Sequence, residues 1–528
     1  MKKSICLAMI LFILPLLLYG CKNNNSDSEK ESQSGNEKVD VSDTLDNRYG
    51  DKINLNATFT IYEEINDASE SNLSVNPVFS DGMVLQRNTV NIISGTTTAR
   101  NVAVNFGGVN YYGNVTGGNF EVYIPAMSAS KENRTLTVYT EKGKKSFVNV
   151  VIGEVYVCGG QSNMFFQMSY FAAECEEQQQ QIDSADDEYL RLMAVSMIMT
   201  TETMHEEKDV LDYTSEWNTA KSENVKNFSA VGYLFGKRMR ESLDIPIGLV
   251  STAIAGTSLV YWLPETNYKE LVKENYQIPI DAGSNNPDVG FNVMINPIRK
   301  LKVRGFIWYQ GESDAMNGTT VNLYQAEMEK LISAYRTVFD NPNMTFSIVG
   351  LPRWGQSGNG YANVRTADQN VSAKDNMVCL TSNVDNGMWD DIHPYPKTEP
   401  ALRLANETLY SFFGKDEPRY PIFIKAERIN ANKVKLTFTE VGDGLVLKNG
   451  SNGFEVRATA SQQYNTNVSV TLDGKDSITV EALGGELKYL RYAVYFTPNE
   501  DSTQDISKAV TLFGSDGMPC DQFVLNIE

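Results

Sequence analysis

The stretch that most constrains the fold of this chain is Gly153–Met164, with the sequence GEVYVCGGQSNM. An apolar, β-branched run stops there at two glycines, and the polar residues Gln161, Ser162 and Asn163 follow at once. The pattern predicts a buried strand that ends in a tight turn, with Ser162 at the carboxyl edge of a sheet. Ligands bind at that edge in open α/β sheets, although a serine after glycine is equally a common start of a helix. Met164 replaces the second glycine of the GxSxG elbow, so a nucleophilic Ser162 requires a fold other than that of the α/β-hydrolases.

Residues 153–414 alternate between strand patterns and helix patterns. Strand patterns cover 244–256, 303–312, 344–352 and 377–384, and amphipathic helix patterns cover 228–239, 321–339 and 398–413. Such alternation predicts a doubly wound parallel sheet with helices on both faces. Residues 165–220 interrupt the alternation and are interpreted as a partly helical insertion over the sheet edge.

Two flanking regions share a different pattern. Short strand-forming runs separated by Gly and Asn turns fill residues 73–152 and again residues 420–528. This pattern is typical of small all-β domains, and each region is predicted to be a β-sandwich. The predicted fold class is therefore α/β, with the central domain at 153–414 flanked by N- and C-terminal β-sandwich domains.

The N-terminus has the pattern of a targeting segment. Lys2 and Lys3 precede an apolar run over residues 5–18, as in a secretory signal peptide. The residues up to Cys21 resemble a bacterial lipobox, which implies lipidation of Cys21 and removal of residues 1–20. Residues 21–52 hold few aliphatic residues and are predicted to be a flexible tether. We therefore expect an exported bacterial lipoprotein of the outer membrane or periplasm.

The net charge and the histidine content of the chain limit the binding partners and the catalytic mechanisms that it could have. The formal net charge of −20 argues against nucleic acids and anionic membrane surfaces, so a membrane contact is expected only through the lipid anchor. The chain has two histidines, His205 and His393, and no cluster of residues in the sequence has the spacing of metal ligands. No metal or other cofactor is expected. Cys158 and Cys379 lie in apolar runs and are interpreted as buried free thiols.

Several predicted strands are followed by polar residues that a doubly wound sheet would bring to one edge. They are Ser162, Gly256, Gln310, Glu312, Asp390, Asp391 and His393. A hydroxyl, a glycine amide, a side-chain amide, carboxylates and an imidazole are the groups needed for acyl transfer through a serine. Taken singly, each has an ordinary alternative, such as an acid at a helix N-terminus or a surface carboxylate. His393 is the preferred general base, because His205 lies in a polar stretch typical of a surface.

Four motifs resemble those of the sialate O-acetylesterase family, a part of the SGNH-hydrolase superfamily. They are GQSNM at 160–164, FNVMINP at 291–297, IWYQGES at 307–313 and DIHPYPK at 391–397. The flanks are also similar, at 79–88, 490–496 and 514–523. The chain departs from the family at Gly256, where a double glycine is usual, and over residues 181–219.

The resemblance implies a flavodoxin-like α/β hydrolase with accessory β domains, in which Ser162 is the nucleophile and His393 the base. It leaves the acid of the triad open. The DxxH spacing of the superfamily selects Asp390, the DIH motif selects Asp391, and the QGE motif of related esterases selects Glu312. We favour them in the order Asp391, Asp390, Glu312.

The resemblance also implies an oxyanion site and a substrate. The amides of Ser162 and Gly256 and the side chain of Gln310 are expected to bind the oxyanion, and Gln161 and Asn163 are further candidate oxyanion or substrate contacts. The implied reaction removes acetyl groups from O-acetylated sialic acid. Other acetylated polysaccharides such as acetylxylan remain an alternative, as does a carbohydrate-binding lipoprotein without activity.

Sugar contacts are expected from aromatic residues near the strand ends, since aromatic faces suit sugar rings as well as protein cores. The candidates are Trp262, Trp308, Tyr309, Trp354 and Trp389. Arg353 and Arg365 are candidates for the carboxylate of a sialic acid, and surface salt bridges are their alternative.

Overall fold

The computed structural model describes residues 45–61, 72–173, 175–195, 216–274, 287–318, 320–355, 358–495 and 510–527. Asn36–Glu528 form one compact unit. The predicted signal peptide, Cys21 and His205 lie outside the described residues. Across the described ranges, no helix combines the length and the apolar content needed to cross a bilayer.

The end of the predicted tether is bound to the folded body. The hydroxyl of Tyr49 donates to Asp340 Oδ2 at 2.5 Å, and Arg48 Nη2 donates to the Asp340 carbonyl at 2.6 Å. Asp46 forms a backbone bridge with Thr89. The tether predicted over residues 21–52 therefore does not reach residue 52, because its last polar side chains find partners on the body.

Most strands are short. In chain order, the strands are β1 (Ser74–Val75), β2 (Val84–Gln86), β3 (Asn91–Thr96), β4 (Asn101–Phe106), β5 (Val109–Thr116), β6 (Asn119–Ile124), β7 (Ser130–Thr140), β8 (Lys144–Gly160), β9 (Asp186–Ala194), β10 (Asn218–Lys221), β11 (Ile247–Ser251), β12 (Gly305–Tyr309), β13 (Thr345–Val349), β14 (Val378–Thr381), β15 (Ile422–Asn430), β16 (Lys433–Thr439), β17 (Leu445–Leu447), β18 (Phe454–Arg457), β19 (Val468–Leu472), β20 (Ser477–Ala482), β21 (Tyr489–Tyr492), β22 (Leu512–Gly514) and β23 (Phe523–Asn526). The longest are β7 and β8.

The α-helices of the described ranges lie in the central region. They are α1 (Ser162–Phe165), α2 (Met168–Ala172), α3 (Glu176–Asp183), α4 (Ser222–Val225), α5 (Ala230–Leu243), α6 (Glu265–Lys273), α7 (Glu312–Ala315), α8 (Tyr324–Val338), α9 (Gly360–Lys374) and α10 (Thr398–Phe413).

The centre is a parallel sheet in the order β9-β11-β8-β12-β13-β14, with β10 antiparallel on β9. The strands predicted at 244–256, 303–312, 344–352 and 377–384 are present as β11, β12, β13 and β14. Their residues are almost all buried, as expected for a parallel sheet covered on both faces.

Helices cover both faces of this sheet. Consecutive residues of a strand point to opposite faces, and Phe346 and Ser347 of β13 show both environments. The Phe346 ring stacks on Phe306 at 5.3 Å and lies 6.4 Å from Tyr335 of α8. Ser347 Oγ instead accepts a hydrogen bond of 2.7 Å from Thr408 Oγ1 of α10. The predicted doubly wound arrangement is therefore present.

The strand β8 joins the central sheet to the N-terminal region. Its first half pairs antiparallel with β7 and parallel with β2, and its second half pairs parallel with β11 and β12. The N-terminal strands continue from β7 in the order β1-β3-β6-β5-β4-β7, so all these strands belong to one hydrogen-bonded sheet. Among the described residues the predicted separate β-sandwich at 73–152 is thus an extension of the central sheet.

The predicted boundary between residues 152 and 153 falls inside β8. A glycine at position 153 suggests the end of a strand. In the structure, however, Gly153 lies inside β8 and allows the backbone at Pro246 to come close. A Cβ at this position would lie 1.9 Å from the carbonyl oxygen of Pro246. The β-branched residues on either side of Gly153 therefore continue as a single strand.

The predicted insertion at 165–220 contributes to the sheet. β9 pairs in parallel with β11, and Leu190 lies opposite Ile247. The sequence of β9, DDEYLRLMA, begins with three acidic residues, so its strand pattern is weak. Residues 196–215 of the insertion lie outside the described chain.

The C-terminal region has three small sheets: β15-β16-β20-β19, β17-β22 and β18-β21-β23. They share one apolar core. Side-chain hydrogen bonds attach this region to the central one. Arg365 Nε donates to Gln522 Oε1 at 2.8 Å, and Arg365 Nη2 donates to the carbonyl of Val494 at 2.9 Å. Arg353 Nη1 donates to the carbonyl of Tyr495 at 3.3 Å.

Candidate active site

Ser162 follows the end of β8, the strand between β11 and β12. The two glycines before it permit a close contact with β12. A Cβ on Gly159 would lie 2.7 Å from the Trp308 ring, and one on Gly160, where φ is +135°, would lie 2.1 Å from the Tyr309 carbonyl oxygen. The chain then turns, and α1 begins at Ser162. The serine therefore lies at the carboxyl edge of the sheet, as predicted.

His393 reaches this serine from the loop between β14 and α10. Its Nε2 atom lies 2.9 Å from Ser162 Oγ. The imidazole packs edge-on against the Phe166 ring, with a centroid distance of 4.7 Å and an interplanar angle of 84°. Residues separated by more than two hundred positions thus form one hydrogen-bonded pair at the sheet edge.

The surroundings of His393 favour the neutral imidazole. Burial of the half-buried ring lowers its pKa below 6.5, and the nearby Lys397 amine adds to this effect, whereas Asp391 acts in the opposite direction. At neutral pH the imidazole is uncharged. One ring nitrogen can therefore accept a proton from Ser162.

The candidate acids lie at different distances from the imidazole. Asp391 Oδ1 accepts a hydrogen bond of 2.8 Å from the backbone N–H of His393 and lies 3.7 Å from His393 Nδ1. Asp390 is exposed. Glu312 is fully buried and binds Asn163 instead. Among these acids, Asp391 is the one that contacts the imidazole.

A buried polar network lies behind the His393 loop. Asn163, at its centre, donates from Nδ2 to Glu312 Oε1 at 2.5 Å and to the carbonyl of Ile392 at 3.2 Å. Lys397 Nζ donates to Asn163 Oδ1 at 2.5 Å and to the carbonyl of Pro394 at 2.6 Å. The carbonyls on both sides of His393 are therefore held by side chains that are themselves buried.

Burial shifts both ionisable members of this network towards their neutral forms. It raises the pKa of Glu312 to about 7, against the hydrogen bond from Asn163. It lowers the pKa of Lys397 to about 7, against the attraction of Glu312 and Asp391. Each charge is costly without the other, which couples the two groups through Asn163. Lys397 is absent from the residues predicted from the sequence, although it is the last residue of the DIHPYPK motif.

The structure corrects the predicted roles of two amide side chains, Asn163 and Gln310, because protein partners occupy their donor groups. Asn163 is used by the network. Gln161 Oε1 accepts from Ser313 N at 3.2 Å and from Gln310 Nε2 at 3.2 Å. Gln310 Nε2 also donates to the Thr257 carbonyl at 3.0 Å and to Asp314 Oδ2 at 2.6 Å. The amides of Asn163 and Gln310 thus fix the turns around Ser162, whereas Gln161 remains a candidate substrate contact through Nε2.

Gly256 remains a candidate oxyanion donor. It lies in the exposed turn after β11 with φ of +72°, and a Cβ added to it would meet no described atom within 4 Å. The hydrogen bond of 3.1 Å from Ile254 N to the Gly160 carbonyl places this turn beside the end of β8. Over the described ranges, the Gly256 amide donates to no backbone carbonyl.

The predicted sugar-binding aromatic residues divide into two groups. Trp262, Trp308 and Tyr309 are fully buried, and the two indoles pack edge-on at 5.8 Å, so these three belong to the core. Trp354 and Trp389 are half-buried.

The two predicted carboxylate-binding arginines are also buried. Arg353 and Arg365 are each 1% exposed, and they donate to backbone carbonyls, among them those of Val384 and Pro352. Their predicted contact with a sialic acid carboxylate is therefore not available. In the part of the chain that the structure describes, no group of three or more His, Cys, Asp and Glu side chains is arranged to hold a metal ion.

Comparisons with known proteins agree with this geometry. A family model described as carbohydrate esterase, sialic acid-specific acetylesterase, matches residues 152–408. The sialate O-acetylesterase of Homo sapiens is 27% identical over 409 residues, which cover 71% of this chain and 75% of that protein. The sialate O-acetylesterase of Mus musculus is 29% identical over 257 residues, which cover 42% of this chain and 44% of that protein.

A solved structure extends the likeness to most of the chain. The crystal structure of a carbohydrate acetylesterase from Xanthomonas citri matches with a TM-score of 0.75 and 25% identity, covering 86% of this chain and 100% of that one. Residues 152–408 therefore match the family of sialic acid-specific acetylesterases, and the chain is a carboxylic-ester hydrolase.

Proposed function

We propose that this protein is a serine esterase that removes O-acetyl groups from sialic acids. The observation that carries the serine mechanism is the distance of 2.9 Å between Ser162 Oγ and His393 Nε2. The finer fold assignment, a flavodoxin-like hydrolase of the SGNH superfamily, belongs to the same proposal. It is supported by the position of β8, which ends at the serine in the middle of a parallel sheet.

In the first step, His393 Nε2 takes the proton of Ser162 as Oγ attacks the acetyl carbonyl carbon. The carbonyl oxygen becomes an oxyanion. The tetrahedral intermediate then collapses: the bond to the sugar oxygen breaks, and His393 returns its proton to that oxygen. An acetyl group remains on Ser162.

In the second step, His393 takes a proton from a water molecule, whose oxygen attacks the acetyl carbonyl. Collapse of this intermediate breaks the bond to Ser162 Oγ and releases acetate, and His393 returns the proton to Oγ. The enzyme is thereby restored, and a C–O bond has been hydrolysed with one water consumed.

The oxyanion donors in this proposal are the backbone amides of Ser162 and Gly256. Both lie at turns that follow neighbouring strands, β8 and β11. Loss of one such donor typically lowers turnover by about 10²–10³-fold. Asp391 orients His393 through Nδ1, and the present separation of 3.7 Å must shorten when the imidazole becomes charged.

An acetylated polysaccharide other than a sialoglycan is the second candidate substrate, and one observation favours it. The burial of Arg353 and Arg365 removes the predicted partners of a sialic acid carboxylate. This favours, as the alternative, an acetylated polysaccharide without that carboxylate, such as acetylxylan. The serine mechanism is the same for both classes.

The deciding experiment measures acetate release by the purified protein from O-acetylated sialoglycan and from acetylated xylan. Ser162→Ala is the test variant, and Ser333→Ala, on the exposed side of α8, is its matched control. Release from sialoglycan that requires Ser162 supports the whole proposal. Release from xylan alone replaces the substrate, and equal activity of Ser162→Ala refutes the mechanism.

The cellular location is part of the proposal and rests on the sequence. An exported bacterial lipoprotein, anchored through Cys21 in the outer membrane or held in the periplasm, would meet acetylated glycans outside the cytoplasm. Incorporation of labelled palmitate into the wild type and its loss in Cys21→Ala would support the anchor. A water-soluble, unlabelled wild type would contradict it.

A further inference from the structure

The sequence that follows Ser162 places a group of aromatic rings around His393. Phe166 packs against the imidazole, and Tyr170 stacks on Phe166 with a centroid distance of 4.1 Å and an interplanar angle of 24°. Phe171 stacks on Tyr395 at 5.6 Å. Phe166 therefore contacts the imidazole through an edge-on packing and carries Tyr170 stacked on its face, so the aromatic group continues from His393 to Tyr170.

Two rings of this group are exposed to solvent. Phe165 is 41% exposed and Tyr170 is 57% exposed, although large aromatic side chains are usually buried. Phe165 lies one helical turn after Ser162 in α1, so both residues share a face of that helix. The exposed aromatic surface thus borders the Ser162–His393 pair.

The segment that carries these rings is firmly held. Met164 and Met168 are fully buried beneath it. Met168 N donates to the Phe228 carbonyl at 3.0 Å, and Gln178 Nε2 donates to the Met168 carbonyl at 2.7 Å. A ligand that contacts the rings would therefore meet a surface that is already ordered, which lowers the entropic cost of binding.

We propose that Phe165 and Tyr170 form a binding subsite for the apolar face of a sugar ring in the acetylated glycan, on the leaving-group side of Ser162. This inference rests on the proposed serine esterase mechanism. In that mechanism His393 returns its proton to the sugar oxygen, so the sugar must lie on the His393 side of the acetyl group. Phe166 packs against His393, and both exposed rings adjoin Phe166, with centroid distances of 6.4 Å for Phe165 and 4.1 Å for Tyr170.

The chemistry of the rings fits such a ligand. One face of a sugar ring presents C–H groups, which pack on an aromatic face and cover the apolar surface that water now contacts. Tyr170 also carries a hydroxyl that can exchange hydrogen bonds with sugar hydroxyls. In the described ranges this hydroxyl makes no hydrogen bond with the protein. A small acetyl ester without a sugar ring would not reach the subsite.

The test compares an acetylated glycan with ethyl acetate, which has no ring to stack. For Tyr170→Ala and for the double variant Phe165→Ala/Tyr170→Ala, KM for the glycan should rise about 3- to 10-fold. The loss of kcat/KM on the glycan should exceed the loss on ethyl acetate by a similar factor. Tyr170→Phe should restore most of the effect, since it keeps the ring. Leu483→Ala, which changes a side chain that is 58% exposed in the C-terminal region, is the control for loss of exposed apolar surface.

Equal losses on both substrates, or an unchanged KM for the glycan, would overturn the subsite. Calorimetric titration of Ser162→Ala with sialoglycan and with xylan oligosaccharides gives an answer that does not depend on turnover. Binding that weakens about 3- to 10-fold on adding Tyr170→Ala supports the subsite. Binding that does not change, or no binding of either glycan, overturns it. Failure of the proposed function is seen separately, as absence of acetate release by the wild type.

Discussion

Two sets of polar side chains meet at the loop that carries His393, and they differ in burial and in connectivity. Ser162, His393 and Asp391 face the substrate side: the His393 side chain is 26% exposed and that of Asp391 is 44% exposed. Glu312, Asn163 and Lys397 lie behind the loop, and none of them is exposed. The outer set has a single short hydrogen bond between two of its side chains, whereas every side chain of the inner set is hydrogen-bonded to another member of that set.

The difference in burial indicates different roles for the two sets. The outer residues are free to change protonation and partners during a reaction. The inner residues hold the backbone on both sides of His393 and have no route to a substrate. We therefore expect the position of the imidazole to depend more on the buried network than on Asp391. The outer set should therefore control activity alone, and the inner set should control activity and stability together.

The largest effect is expected from the outer set. His393→Ala removes the base and should lower kcat by about 10⁴-fold or more, with little change in the melting temperature because the side chain is not packed in the core. Acetate release and thermal unfolding are the measurements. The control is His205→Ala, the chain's other histidine, which the sequence predicts to be a surface residue. A residual activity above about one tenth would show that another group is the base.

The inner set should respond differently. Lys397→Met leaves the buried Glu312 without its cation and should lower the free energy of unfolding by about 3–5 kcal/mol, together with a loss of activity. Lys374→Met is the matched control. Its ammonium pairs with Glu329 at 2.7 Å on the surface, where the side chains are 60% and 42% exposed, and loss of such a pair costs at most about 1 kcal/mol.

A double variant sharpens this prediction. Glu312→Gln added to Lys397→Met removes the uncompensated carboxylate and should recover a large part of the lost stability. Urea unfolding of the four proteins in this cycle measures the coupling. Additive losses would mean that Glu312 and Lys397 do not sense each other through Asn163.

The effect of Glu312 on stability can be measured through its dependence on pH. Its folded-state pKa of about 7 lies above the ordinary glutamate value of 4.5, so its contribution to stability is present below pH 4.5 and is lost as the pH rises through 7. Between these values the wild type should lose up to about 3 kcal/mol that Glu312→Gln does not lose. Unfolding of both proteins from pH 4.5 to 7.5 makes the comparison. Parallel curves would show that Glu312 is already ionised.

The smallest predicted effect tests the triad acid. Asp391→Asn should lower kcat by roughly 10- to 100-fold, less than the loss of about 10⁴-fold typical of a tightly bound triad acid. Asp390→Asn, one residue away and exposed, is its control and should change kcat less than about 2-fold. A loss near 10⁴-fold for Asp391→Asn would reverse the comparison and make Asp391 the main orienting group of His393.

The fold and the Ser162–His393 pair are accessible from the sequence because both depend on local patterns. Strand–helix alternation gives the parallel sheet, and polar residues at strand ends give Ser162 and His393. The rest depends on side-chain partners that no local pattern reveals. Asn163 and Gln310 have the right chemistry for an oxyanion site, yet other buried groups occupy their amides. Arg353 and Arg365 have charges suited to a carboxylate, yet they bind backbone carbonyls of the C-terminal region.

Burial also explains the residues that sequence patterns do not reveal. A lysine directly before a helix is ordinarily a surface residue, so the motif alone gives no reason to place Lys397 in the interior. Tyr170 and Phe165 show the reverse case, since aromatic residues in an apolar run suggest a core, and the structure leaves them at the surface. The sequence of β9 does not predict a strand, because its acidic residues conceal the alternation.

The continuous strand β8 has a consequence for how the molecule can be divided. The match to the esterase family begins at residue 152, yet β8 runs from Lys144 to Gly160 and draws hydrogen-bond partners from both regions. The region that the family model matches and the hydrogen-bonded sheet therefore have different borders. An expression fragment trimmed to the family match would begin in mid-strand and would lose the first half of β8 together with its partners β2 and β7. The N-terminal strands pair with the same strand that ends beside Ser162. We therefore expect an active minimal enzyme to retain them.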